Sequence, residues 1–115
     1  SMLDFVFRPR VRTYDERRHF GEWPKPKTAY YALGWRVLAQ ETDTLVYHGG
    51  YVNGFRGEIA VDRKNKVAIC VLFNAATDLS QRCIPAFFER YRRQKADIDA
   101  WEQTRSISVS GLQDR

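Results

Sequence analysis

The sequence predicts an α+β domain: a four-stranded antiparallel sheet, its strands ordered as in the chain, followed by a C-terminal helix packed on one face. Three observations carry this. Tyr31, Leu33, Trp35, Val37 and Leu38 nearly alternate, as β-prone aromatic and branched residues do in a half-buried strand. Val67–Phe73 is apolar at every position, which marks a strand expected to be buried on both faces. Ile84, Phe87, Phe88 and Tyr91 fall at i, i+3, i+4 and i+7, a single helical stripe.

The elements follow in order. Residues 1–29 form an irregular segment in which Pro9, Gly21, Pro24 and Pro26 break any long element. Ser1-Met2 reads as a cloning remnant or an internal start. The first strand runs from Tyr30 to Leu38 with Gly34 inside it, Gln40–Thr44 is a polar turn, and Leu45-Val46-Tyr47 opens the second strand, which leads into glycines. Arg56–Asp62 is the third, with Ile59 and Val61 on one face and Glu58 and Ala60 on the other; Glu58 reads as a solvated edge residue. Arg63-Lys64-Asn65 turns into the fourth strand, and the helix runs from about Ser80 or Ile84 to about Gln94, with Pro85 suited to the first turn of a helix beginning near Ile84 or else kinking a longer one. The folded part is therefore placed at 30–95, with 96–115 a weakly ordered tail. A strand covered on both sides needs more than one helix. The second sheet face is expected to meet another part of the same protein or a second copy, because several hundred Å² of bare apolar surface is more than monomers usually expose.

Composition narrows the function. With 43% apolar and 14% aromatic residues the chain should fold, and no run approaches a membrane span. The net charge of +5 is spread over Arg8, Arg10, Arg12, Arg17, Arg18 and the helix surface, with acidic residues between. No compact nucleic-acid motif accompanies it, so nucleic acid is not an expected partner. Cys70 and Cys83 are too few for a zinc site or a disulfide framework and are expected as buried free thiols. No metal and no cofactor is expected.

The segment His48-Gly49-Gly50-Tyr51-Val52-Asn53-Gly54-Phe55 carries the chemistry. A titratable ring beside glycines at a strand edge lets a substrate approach bare backbone. Tyr31-Ala32-Leu33-Gly34-Trp35, His48-Gly49-Gly50, Gly54-Phe55, the Ile59–Asp62 strand and Val67–Asn74, taken in that order, resemble the C-terminal part of the serine β-lactamase and penicillin-binding-protein family. The similarity is to its class C-like branch, with D-Ala-D-Ala carboxypeptidases and esterases, and covers about residues 30–92.

The resemblance implies an acyl-enzyme serine hydrolase acting on a peptide, ester or β-lactam carbonyl in the periplasm or cell envelope. Its site combines Ser-x-x-Lys, Tyr-x-Asn, and a Lys-Thr-Gly or His-x-Gly strand. His48-Gly49-Gly50 matches the last, and the Tyr51 N–H would be an oxyanion donor, a kind of contact worth roughly 3 kcal/mol in the transition state. Histidine replaces lysine, and Gly49 replaces the threonine that would hold a substrate carboxylate. No Ser-x-x-Lys occurs in the chain, and Tyr51-Val52-Asn53 falls too late in the order to serve as the second motif. The chain is thus expected to hold no catalytic nucleophile, to be inactive alone, and to require an N-terminal part of the parent enzyme. The alternative is a non-catalytic binding or dimerisation module that uses an exposed sheet face.

Overall fold

The structure, a computed structural model, describes residues 1–13, 28–39 and 43–113. Its order is α1 (Met2–Val6), β1 (Val11–Thr13), β2 (Thr28–Tyr31), β3 (Arg36–Ala39), β4 (Thr44–Val52), β5 (Phe55–Asp62), β6 (Val67–Phe73) and α2 (Leu79–Gln113). All six strands form one antiparallel sheet in sequence order. The architecture is α+β with an antiparallel sheet and a C-terminal helix, and among the described residues the sheet has six strands, not four.

The two additional strands come from opposite failures of pattern. β1 has three residues, too short for any alternation to register, and pairs Val11–Thr13 with Tyr31–Ala29. β2 and β3 are the halves of what reads as one strand. The chain folds back on itself at Gly34, whose φ of 74° lies in the left-handed region open to glycine, and the Ala32 N–H donates to the Trp35 carbonyl at 2.7 Å. Ahead of them, α1 is closed by a capping box in which Ser1 and Asp4 exchange hydrogen bonds. The Gln40–Thr42 part of the expected turn, and His19 with Arg17 and Arg18, lie outside the described residues.

The β4–β5 hairpin turns beyond the glycines of the His48 segment. β4 runs on through the glycines to Val52, and the reversal is made by Asn53 (φ 46°) and Gly54 (φ 83°). Two consecutive positive φ values fit the tight turn that an Asn-Gly pair favours between antiparallel strands. The β5–β6 turn is held by Asp62, which accepts from the Asn65 backbone N–H at 3.0 Å and its side-chain amide at 2.7 Å.

Register assigns each side chain to a face. One face, here the Tyr47 face, carries Ala29, Leu38 and Leu45, then Tyr47 and Ala60, then Glu58, and it holds most of the buried core. The other, the His48 face, carries Val37 and Val46, then His48, Ile59 and Cys70, then Gly50, Gly57 and Leu72. As expected, Ile59 and Val61 lie opposite to Glu58 and Ala60.

β6 corrects an expectation. Its residues alternate between half-buried and exposed, and Leu72 is 80% exposed. Val67, Ile69, Val71 and Phe73 are partly covered on the Tyr47 face, while Ala68, Cys70 and Leu72 face outward. Cys70 is accordingly an exposed thiol and Cys83 a half-buried one, both free. An apolar residue in a strand reports its preference for burial; whether burial occurs depends on what lies above it.

The chain divides into two compact units, the first Ser1–Pro85 and the second beginning at Ala86. The first contains the sheet, α1 and the opening turns of α2, where Ser80 and Ile84 are fully buried. The second continues α2 to Gln113, over residues that read as a tail. Along it Phe87 meets Phe88 edge-on at 5.2 Å and stacks on Tyr91 at 6.1 Å, and Glu89 pairs with Arg93 on the exposed side. No described helix is long and apolar enough to cross a membrane.

Candidate functional site

β4 places the predicted site residues. Between Thr44 and Tyr47 it is paired on both sides, with β3 and with β5. β3 ends its pairing at Arg36 opposite Tyr47, while β5 continues alongside as far as Val52. His48–Val52 therefore overruns β3, and among the described residues its backbone has a strand neighbour on one side only. The glycine segment lies on a local sheet edge within an interior strand.

Alternation then divides the motif. His48 and Gly50 point to one face, Gly49 and Tyr51 to the other. His48 is half-buried, 6.4 Å from Trp35 in an edge-on contact; Trp35 in turn meets Phe7 edge-on at 5.3 Å. These aromatic rings tie the end of α1 to the His48 face. Arg63 adds to the tie, reaching Asp4 at 2.7 Å and lying over the Phe7 ring.

Gly50 is the open residue of the segment. A Cβ added there would meet nothing within 4 Å. It stands opposite Gly57 on β5, so two bare backbones lie side by side with Leu72 beyond. Val52, Phe55 and Leu72 rise around this pair to form a shallow apolar groove of about 300 Å³. Val52 and Phe55 are more than 60% exposed, so the groove stands open.

The Tyr47 face is different in kind. Gly49 sits beneath the Tyr47 side chain, and a Cβ there would stand 2.5 Å from the phenol oxygen. The Tyr47 hydroxyl hydrogen-bonds to Glu58, which is only 7% exposed. Glu58 is thus a buried carboxylate, not a solvated edge residue. Arg56 stands nearby, donating to the Ser80 hydroxyl at 3.3 Å and lying over the Tyr51 ring. A polar cleft of about 280 Å³, lined by Arg36, Tyr47, Gly49, Tyr51, Arg56 and Glu58 among others, opens above this cluster.

Burial governs the electrostatics here. It pushes the Glu58 carboxyl above its ordinary 4.5, with the Arg56 charge and the Tyr47 and Ser80 hydroxyls opposing the shift. Burial, with the Glu58 charge beside it, pushes the Tyr47 phenol up to about 12. Sequence reasoning missed this pair. The available signal was the register: Tyr47 and Glu58 lie diagonally across one hairpin, on the same face.

Among the described residues no cluster of three or more His, Cys, Asp or Glu is placed to hold a metal ion. No protein-family model, curated protein or solved structure matches the chain.

Proposed function

We propose that this chain supplies one wall of the acyl-binding cleft of a serine hydrolase of the class C β-lactamase and penicillin-binding-protein type. The carrying observation is the overrun of β4: among the described residues His48–Val52 has no strand partner on its β3 side, beside an imidazole and a glycine that packing does not require. A carbonyl substrate needs such an arrangement. Its oxygen, as charge develops, is held by strand N–H groups, and a residue without Cβ lets the acyl chain lie against the backbone.

In this reading His48 and Gly50 face the substrate, the Tyr51 N–H is one oxyanion donor, and Gly49 serves the fold by accommodating Tyr47. The groove over Gly50 and Gly57 receives an apolar part of the substrate. The nucleophile and its base come from a part of the parent protein N-terminal to this chain, which also covers the exposed apolar residues of the His48 face. The parent acts in the periplasm or cell envelope on a peptide, ester or lactam carbonyl.

The coding frame upstream of Ser1 tests this directly. It should contain Ser-x-x-Lys followed by Tyr-x-Asn, and a stop codon there with normal expression of the short chain would overturn the proposal. The purified chain should not be acylated by a fluorescent penicillin; covalent labelling would show that it carries a nucleophile of its own.

A further inference from the structure

We propose that the β6 edge is a self-pairing interface, on which a second copy of this chain adds its own β6 antiparallel across a two-fold axis at Cys70. This does not depend on the hydrolase reading, whose catalytic wall lies on β4; it concerns the outer backbone edge of β6.

The two ends of the sheet are built differently. β1 has three residues, carries Arg12 in its middle and is preceded by Pro9-Arg10. Short length, charge and proline are the devices that keep an edge from pairing. β6, at the other end, has seven residues with no charge and no proline, and among the described residues its only strand neighbour is β5. Alternate backbone N–H and C=O groups along its outer side are left for another strand.

The sequence of β6 also fits a copy of itself. Cys70 is the middle residue of Val67–Phe73, so antiparallel pairing centred there sets Cys70 against the second copy's Cys70. Ala68 then meets Leu72 and Val67 meets Phe73, a small residue against a large one on each face, while Ile69 meets Val71. On the outward face this places the 80%-exposed Leu72 beside the space left by Ala68. No charge is brought into the pairing by any of the seven positions. Directly opposed residues of antiparallel strands have Cα atoms roughly 4.5 or 5.5 Å apart, and both separations fall within disulfide reach. The exposed Cys70 thiol is therefore a reporter of the register.

The test uses the whole chain under reducing conditions, with mass measured by sedimentation at micromolar concentrations and above. The expected mass is twice 13.5 kDa. Adding an oxidant should join two chains through Cys70, each bond forming with loss of two protons and two electrons to the oxidant, and peptide mapping should find Cys70 joined to Cys70. Cys70→Ser should keep the dimer and lose the cross-link. Cys70→Lys, which sets two ammonium groups face to face at an exposed position, should give a monomer with an unchanged circular dichroism spectrum. A monomeric unsubstituted chain, a cross-link made through Cys83, or a dimer that survives Cys70→Lys would each overturn the proposal.

Discussion

Tyr47 lies across Gly49, its neighbour two residues on along the same face of β4, so closely that a Cβ on Gly49 would stand 2.5 Å from the phenol oxygen and 3.3 Å from the ring carbon bearing it. The hydroxyl so placed reaches Glu58 on the next strand. A glycine, a tyrosine and a buried carboxylate thus form one unit, in which each fixes the position of the next.

Gly49→Ala must displace that phenol and should cost about 1–3 kcal/mol of stability in denaturant unfolding, the usual scale for overpacking. Tyr47→Phe alone should cost about 1 kcal/mol for the lost hydrogen bond. In the double variant the costs should be less than additive, because the oxygen in conflict with the new methyl is gone. Full additivity would show that the alanine is accommodated without moving Tyr47.

Gly50→Ala should behave oppositely. Nothing lies within 4 Å of the added Cβ, and alanine in a strand is favoured over glycine by about 0.5–1 kcal/mol. The chain should keep or slightly raise its melting temperature. If the chain belongs to a hydrolase of the proposed type, the same change in that protein should lower the acylation rate, since it would screen the backbone against which the acyl group is proposed to lie. A variant that acylates as fast as the wild type would remove Gly50 from the site.

The pH dependence of stability should carry the signature of the Tyr47–Glu58 pair. The Glu58 carboxyl is raised in the folded state, so the folded chain binds the proton more tightly than the unfolded one. Its contribution is then fully present below 4.5 and declines as the pH rises through the folded value. Tyr47, raised from 10.0 to about 12, adds a second loss across that interval at the alkaline end. Glu58→Gln should flatten the acidic slope, and ultraviolet titration of Tyr47→Phe should lack the latest tyrosinate transition. An acidic slope unchanged by Glu58→Gln would assign it to another carboxylate.

Burial should separate two apolar residues of similar size. Ile84 is fully buried, and Ile84→Ala should cost about 2–5 kcal/mol in urea unfolding. Leu72, 80% exposed, should tolerate Leu72→Ser with a change within about 0.5 kcal/mol in the dissociated chain. A large loss at Leu72 in the monomer would mean that the His48 face is covered from within the chain.

The hairpins from Leu45 to Phe73 and the helical stripe at Ile84, Phe87, Phe88 and Tyr91 were legible because each is a local pattern: alternation, turn residues, and spacing by three and four. The dipeptide Asn53-Gly54 is a local turn signal of the same kind, and it was not read as one. β1 was not legible, since three residues carry no period, and Gly34 was passed over because the residues on both sides of it are equally β-prone.

The amino-acid order alone determined which residues can share a face, because side-chain direction follows from backbone geometry within a few residues. It could not determine which faces and edges are covered. That Glu58 is buried while Leu72 is exposed, and that β4 overruns β3 at His48, depends on contacts between segments far apart in the chain. Desolvation and backbone pairing are properties of those contacts, so only the tertiary structure decided them.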